Sequence, residues 1–425
     1  PEIPLFRPVW QEFPGVHEPA VVIKSMEEDP REAVISGLLQ LQDIAQTAQE
    51  TAVQIVAPED TPLRAALWGL AQTVCIEQPE ITIDVVSGTS RGVRTFEPLG
   101  HTSPTKETPW REKGIYLITG GAGALGRIFA QEIFDKTNEA TVILLGRTEL
   151  SGERKSWIKS LQTERQHVEY HCCADIGKTV EDIRMRHGGL HGILHCAGVL
   201  DDGLLLSKTP QRVRDVLSPK VSMTRALDVA TRDLDLDLFV MFSSASALGS
   251  LGQSDYAAGN GFLDGFAASR KAKGKTLSIA WPLWREGGMR PDAKLLDQSE
   301  VQQLGTAEGL RCFYRALESD AKCVLVSNPP VRPTDDIMAP QELVSIDMDE
   351  QAEKIQSAIL VLITVLVGVA SEDIDLNEEF NAFGFDSISL TQLATRLNAT
   401  LGLKLTPAVF FQYATVNRLA EHLVG

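Results

Sequence analysis

The segment Gly120-Gly121-Ala122-Gly123-Ala124-Leu125-Gly126 lies between an apolar run, GIYLIT (114–119), and a helical one, RIFAQEIF (127–134). Gly121, Gly123 and Gly126 form a GxGxxG pattern. Each glycine has a physical reason. The tight turn, the close approach of backbone to a pyrophosphate, and the close packing of helix on strand all exclude a side chain. The helix N-terminus then offers its free N–H groups to the anion. A strand, this loop and a helix in that order point to a parallel α/β sheet.

The surrounding pattern agrees. Strand candidates follow at ATVILLG (140–146), HVEYHCC (167–173), GILHCAG (192–198), LDLFVMFSS (236–244) and TLSIAWP (276–282), with helical spans between them. Near-continuous apolar strands alternating with helices predict a sheet covered on both faces. Residues 1–112 repeat the alternation more weakly. AVVIK (20–24) is followed by a helix from Pro30 to Glu50, then AVQIVA (52–57), a helix from Pro62 to about Glu77, and ITIDVV (81–86). No glycine loop follows the first of these strands, so this zone is expected to be structural. A Pro/Thr/Lys-rich connector lies between Glu97 and Lys113. Residues 328–350 hold four Pro, six acids and one Arg with no apolar period, and read as a linker. Residues 351–425 read as helical throughout, with eight acids against four bases.

Composition removes several classes of function. The formal net charge of −17 makes phosphate-backbone binding to nucleic acid a poor expectation. The most apolar stretch, AILVLITVLVGVA (358–370), falls short of the roughly 20 residues that span a bilayer, so a buried helix of a small bundle is expected and no membrane. The six Cys form no CxxC pair, which fits a reducing cytoplasm better than a disulfide scaffold. His187, His191 and His195 are spaced four apart, but Gly188, Gly189 and Gly192 break any helix that would align them, so no metal site is expected. A start at Pro1 rather than Met, with no signal peptide, is expected of a piece cut from a longer polypeptide.

The ends of the strand candidates carry the chemistry. Arg147 follows the second strong strand, where an acid would hold a ribose 2′-OH and an Arg fits a 2′-phosphate; the alternative is a surface Arg. Asp175 and Ile176 follow the third strand, and Ala197 and Gly198 end the fourth. Ser243 and Ser244 close the run LFVMFSS, Tyr256 stands 12 residues after Ser244, and Asn260 four residues after that. Lys220 lies earlier, in Ser218-Pro219-Lys220. Carbonyl reduction needs a donor to the carbonyl oxygen and a proton source. A tyrosine titrates near 10, and a nearby ammonium lowers that value by favouring the phenolate.

These stretches resemble the ketoreductase domain of modular polyketide synthases, within the short-chain dehydrogenase/reductase superfamily. The resemblance runs through YLITGGAGALG, GILHCAGVLDDGLL, LSPKVSMTRAL, FSSASALGSLGQSDYAAGNGFLDGFAASR and IAWPLWREGGM, and in the N-terminal zone through LFRPVWQE and PLRAALWGLAQTVCIEQPEI. Ordinary members of the superfamily place the Lys four residues after the Tyr. Here that position is Asn260 and the Lys comes earlier, as in the polyketide ketoreductases. The resemblance implies Tyr256 as proton donor, Ser244 as the carbonyl-orienting hydroxyl, and Lys220 tuning the tyrosine and holding ribose. Asn260 completes the network, and NADPH binds at Gly121, Gly123, Leu125, Gly126, Arg147, Asp175, Ile176, Ala197 and Gly198. The interval before Tyr256 is one residue shorter than the family's, so Ser243, 13 residues before it, stays as the alternative to Ser244. Trp281 and Trp284 either pack or cover the nicotinamide and substrate. Leu200-Asp201-Asp202 resembles the motif of ketoreductases that give D-alcohols; alternatively the two acids cap a helix starting near Gly203.

Gly384-Phe385-Asp386-Ser387-Ile388 precedes the amphipathic run SLTQLATRLNATLG. It resembles the acyl carrier protein signature, with Ser387 as the attachment point of 4′-phosphopantetheine. The implied partners are an acyl-phosphopantetheine substrate, a phosphopantetheinyl transferase and other synthase domains such as a ketosynthase. The expected fold is a Rossmann-like, doubly wound parallel sheet (113–327) with a reduced pseudo-Rossmann structural subdomain (1–112). A linker (328–350) and a small all-α four-helix carrier bundle (351–425) follow.

Overall fold

The computed structural model describes residues 3–14, 21–24, 27–47, 51–59, 61–87, 90–100, 108–150, 152–172, 175–288 and 303–327, together with 359–360, 363, 374–380, 390, 393–394, 397–398, 405 and 409–424. The chain divides into two compact units, Pro1–Ile337 and Met338–Gly425.

The first unit is built on one 12-stranded sheet. Its strands in chain order are β1 (Leu5–Pro14), β2 (Val21–Lys24), β3 (Thr51–Val56), β4 (Ile81–Ser87), β5 (Ser90–Pro98), β6 (Gly114–Thr119), β7 (Ala140–Gly146), β8 (Gln166–Cys172), β9 (Gly192–His195), β10 (Leu238–Ser244), β11 (Lys275–Trp281) and β12 (Cys323–Val326). Across the sheet they run β2-β3-β4-β5-β1-β12-β11-β10-β9-β6-β7-β8. The wings are parallel: β2, β3 and β4 on one side, β12 through β8 on the other. An antiparallel seam joins them, with β5 paired to β4 and β1, and β1 to β12. The expected doubly wound sheet and the reduced N-terminal wing are both present.

Alternation along β6 shows why the sheet is covered twice. Ile115 and Leu117 enter the core on one face, Tyr116 and Ile118 the core on the other. The helices are α1 (Pro30–Thr47), α2 (Pro62–Glu77), α3 (Ala124–Lys136), α4 (Gly152–Leu161), α5 (Ile176–His187), α6 (Pro210–Leu217), α7 (Met223–Thr231), α8 (Ser254–Ser269) and α9 (Thr306–Glu318). Thr61 caps α2, accepting the Arg64 N–H, and Pro62 occupies the first turn, where its missing N–H costs nothing. Gly188, at φ +81°, ends α5 in the left-handed conformation that glycine adopts freely.

Three strand expectations change. GILHCAG is strand only through His195. The span beyond Glu97 is still strand as far as Pro98, and β5 itself was not expected. The four-residue β12 was also missed.

α2 and α8 cross almost backbone to backbone. A Cβ on Gly69 would lie 2.6 Å from the Ala257 carbonyl oxygen, and one on Gly261 would lie 2.3 Å from that of Ala65. This crossing fastens the N-terminal wing to the helix that carries Tyr256 and Asn260.

In the second unit Ile359, Ile363, Phe380, Leu390, Leu393, Leu397, Phe410, Val416 and Leu419 share one apolar core. Helices Val409–Gln412 and Val416–Val424 belong to it. The 328–350 linker and Ser387 lie outside the described residues. Among the described residues, no helix is long and apolar enough to cross a membrane, and no group of His, Cys, Asp and Glu is placed to hold a metal.

Candidate active site

Every nucleotide-loop residue singled out in the sequence lies at the C-terminal end of β6, β7, β8 or β9. β6 is flanked by β7 on one side and β9 on the other, so the chain reverses its direction of winding there. Such a switch point leaves a crevice beyond the strand ends. A Cβ on Gly121 would meet Leu144 Cβ at 2.7 Å, and one on Gly126 would meet Gly121 Cα at 2.6 Å. Gly123 stands at the N-cap of α3 with no side chain to occupy the first N–H groups, and Leu125 lies in the first turn. The loop therefore has the close-packed form and the free helix N-terminus that a dinucleotide pyrophosphate requires. Arg147 is exposed just past β7. Asp175 caps α5, accepting the Lys178 N–H at 3.1 Å, and Ile176 is buried beside it. Ala197 donates its N–H to Thr119 Oγ1 at 3.3 Å. A Cβ on Gly198 would lie 3.3 Å from Lys220 Cε, so this turn rests directly on the lysine.

Lys220 occupies a single π-helical turn, Ser218–Ser222, between α6 and α7. Such turns often mark functional positions because they re-aim one side chain. It is 3% exposed. Its Nζ donates to the Phe242 carbonyl at 2.7 Å and stands 5.7 Å from the centre of the Tyr256 ring. Burial pulls the ammonium down to about 8, with Cys196 and Asp264 acting the other way. Tyr256, in the first turn of α8, is 5% exposed. Burial raises its hydroxyl above the ordinary value, Asn260 acts to lower it, and Asp202 raises it further. Lys220 was expected to lower it, but loss of water around the phenol is the largest influence and its direction prevails. Asn260 Nδ2 donates to the Tyr256 carbonyl at 2.9 Å and to Ser246 Oγ at 3.3 Å.

The two serines differ. Ser243 is 4% exposed and its hydroxyl donates to the Asn260 carbonyl at 3.3 Å. Ser244, the last residue of β10, is half-buried and caps the following turn by accepting the Ser246 N–H at 3.2 Å. Its hydroxyl hydrogen is not used in that contact.

Leu200-Asp201-Asp202 lies in an extended segment. Asp201 pairs with Arg212 through both carboxylate oxygens, and Asp202 accepts from Gln253 at 3.1 Å. The turn Leu205–Ser207 begins at Leu204 with no side-chain cap, so neither acid plays the capping part. Trp281 and Trp284 are both 3% exposed and pack edge to face at 5.0 Å.

His195, set aside as a metal ligand, has a place that sequence spacing did not reveal. It is fully buried, with Nδ1 2.6 Å from Thr119 Oγ1 and Nε2 2.9 Å from the Pro219 carbonyl. A carbonyl only accepts, so Nε2 carries the proton and Nδ1 takes the Thr119 hydroxyl. The ring thus joins the end of β6 to the turn that carries Lys220.

Residues 114–286 match the KR domain family, and residues 357–423 match the phosphopantetheine attachment site family. The chain is 35% identical over 434 residues to polyketide synthase PksN of Bacillus subtilis, covering 87% of this chain and 8% of that protein. It is 35% identical over 323 residues to polyketide synthase ThaG of Burkholderia thailandensis, covering 70% of this chain and 6% of that one. The chain therefore spans less than a tenth of these curated relatives. Among solved structures, a ketoreductase domain from the bacillaene assembly line superposes with a TM-score of 0.67 at 29% identity, over 76% of this chain and 96% of that one.

Proposed function

We propose, from the membership of residues 114–286 in the KR domain family and of residues 357–423 in the phosphopantetheine attachment family, that this polyketide synthase chain reduces the keto group of a carrier-bound β-ketoacyl, or alternatively α-ketoacyl, thioester with NADPH. The convergence of Lys220, Tyr256 and Asn260, with Lys220 under the Ala197-Gly198 turn that packs on Gly120, carries this reading. The carrier part tethers the growing chain on 4′-phosphopantetheine at Ser387. The boundaries 1–112, 113–327, 328–350 and 351–425 serve as its working division.

When bound, NADPH supplies the hydride. Gly121, Gly123, Leu125 and Gly126 would hold its pyrophosphate, and Arg147 would meet its 2′-phosphate. Asp175, Ile176, Ala197 and Gly198 border the crevice. Ser244 donates its hydroxyl hydrogen to the ketone oxygen, polarising the carbonyl carbon. As that carbon takes the hydride, Tyr256 gives its phenolic proton to the same oxygen, and the phenolate is reprotonated from solvent. Lys220 holds the ribose and stabilises the phenolate, and Asn260 links the tyrosine to water. Ser244 is favoured over Ser243 because the Ser243 hydrogen is already committed to the Asn260 carbonyl. Leu200, Asp201 and Asp202 resemble the motif of ketoreductases that give D-alcohols, and on that resemblance the product is the D-alcohol, 3R for a simple β-hydroxyacyl thioester.

The test is NADPH oxidation with a 3-ketoacyl thioester, chiral chromatography of the product, and mass spectrometry after treatment with coenzyme A and a phosphopantetheinyl transferase. No oxidation would leave a scaffold with only the carrier active. An L-alcohol would overturn the stereochemical assignment. Absence of phosphopantetheine, or its presence in Ser387→Ala, would remove the carrier role.

A further inference from the structure

Glu77, the last residue of α2, reaches from the N-terminal wing into the catalytic half. It is 8% exposed, and its two carboxylate oxygens serve two separate segments. Oε2 accepts the Leu205 N–H at 2.5 Å, and Oε1 accepts the Gly252 N–H at 2.9 Å. Leu205 follows the Leu200-Asp201-Asp202 segment, and Gly252 lies in the turn that leads into Tyr256. The two segments are tied to each other as well. Gly203 donates its N–H to the Gly252 carbonyl at 2.9 Å. Lys208 lies between them, its Nζ on the Asp255 carboxylate at 2.8 Å and on the Asp201 carbonyl. Lys208 and Asp255 side chains are 0% and 1% exposed.

Other side chains of the N-terminal wing hold one segment each. Gln42 donates to the Leu205 and Lys208 carbonyls at 2.6 and 2.8 Å. Thr73 accepts the Ser250 N–H at 3.1 Å. Glu77 holds both.

Stability alone does not explain this arrangement. Two buried acids face one buried base, and well-packed apolar residues in their place would cost less. What the carboxylate adds is geometry. Hydrogen bonds to an ionised acceptor are short and strong, and two donors converging on one planar group fix the distance between the loops that present them. Gly252 sits at φ +76°, a conformation glycine adopts freely, and Leu251 beside it is exposed, so Leu251 adds little packing that would fix the Gly252 N–H in place.

We propose that Glu77 is a positioning residue that sets the width of the substrate groove, and through it the ketone face presented to the hydride. The N-terminal wing thus acts on specificity as well as on stability. This proposal rests on the ketoreductase reading above.

Glu77→Gln keeps the size of the side chain but turns an amide N–H toward one of the two donors. The whole chain is assayed with a diffusible 3-ketoacyl thioester. The D to L ratio of the product is expected to fall roughly tenfold, the effect of one lost charge-assisted hydrogen bond. KM for the thioester should rise while NADPH binding, read by fluorescence, stays at the wild-type value and reports that the fold is intact. A ratio and a KM equal to wild type would overturn the proposal. Hydrogen exchange on the wild-type protein gives a second test. Segments 200–208 and 249–256 should open together as one unit, and exchange of one segment far ahead of the other would equally overturn it. Should Glu77→Gln fail to bind NADPH, the exchange result decides alone. If the wild type reduces nothing, it is the ketoreductase reading that falls, and the exchange test of the brace still stands.

Discussion

Gly261→Ala puts one methyl group into the α2–α8 crossing. The new Cβ would lie 2.3 Å from the Ala65 carbonyl oxygen and 2.9 Å from its carbon. Ordinary contact begins near 3.4 Å, so the two helices must part by about 1 Å in a close-packed interior. Both atoms are backbone, and no side chain can swing aside. Sliding along the contact is blocked too: Cβ positions on Gly69 and Gly265 would already stand 2.6 Å from the Ala257 oxygen and 2.8 Å from Pro62 Cα. Overpacking of this kind costs about 1–3 kcal/mol and sometimes more. Against it, alanine is a better helix former than glycine by about 1 kcal/mol. With every route of relief closed, the upper part of the overpacking range applies, and the net loss should be about 2 kcal/mol. Urea unfolding followed by tryptophan fluorescence measures it, since Trp68 lies in α2. Gly37→Ala is the matched control. It lies in α1 with nothing nearer than Leu67 Cδ2 at 3.6 Å, so it should be neutral or stabilising by up to about 1 kcal/mol. Because α8 carries Tyr256 and Asn260, Gly261→Ala should also lower turnover more than it weakens NADPH. A variant as stable as wild type, or a control equally destabilised, would refute the reasoning.

Tyr256→Phe removes the proton source and keeps the ring, so single-turnover reduction should fall by about two to four orders of magnitude with NADPH titration nearly unchanged. Arg147→Ala should weaken NADPH far more than NADH; equal losses in a paired titration would show that Arg147 does not meet the 2′-phosphate. Burial pulls His195 down to about 3 from 6.5, so below pH 6.5 the unfolded chain takes up a proton that the folded chain refuses. Stability contributed by the neutral ring is present above 6.5 and is lost as the pH falls toward 3, at up to about 1.4 kcal/mol per pH unit. Denaturant midpoints from pH 7 to 4 should therefore decline less steeply in His195→Gln, and parallel slopes would contradict the role of the ring.

The parallel wing was legible because its strands are buried on both faces and read as unbroken apolar runs. The glycine loop was legible because its constraints are local. β5 was not: SRGVRTFEP holds charged residues that the fold takes inside, with Arg94 and Asp264 side chains paired at 5% and 3% exposure. β12, CVLV, is too short for a period to register. Tyr256 and Asn260 were read from spacing and Lys220 from the family resemblance, whereas the different hydroxyl partners of Ser243 and Ser244 leave no trace in spacing at all. Glu77 left no mark at all. Its partners are backbone N–H groups far away in the chain, and a Glu closing a helix looks the same whether water or a loop receives it.

The antiparallel seam has a consequence for the order in which the protein is made. β1 pairs Leu5 with Val326 and Phe6 with Leu325, so one of its edges is satisfied by β5, under 100 positions away, and the other only about 320 positions further along the chain. At roughly 5–20 residues per second of synthesis, β5 is complete after about 5–20 s, but β12 follows on the order of 10–45 s later. During that interval the N-terminal wing holds an open strand edge in the ribosome's vicinity, a ready template for pairing with another nascent chain. Ribosomes spaced closely along one message would bring such edges side by side, which makes a holdase a condition of good yield and slow, sparse translation a practical way to obtain this chain in soluble form.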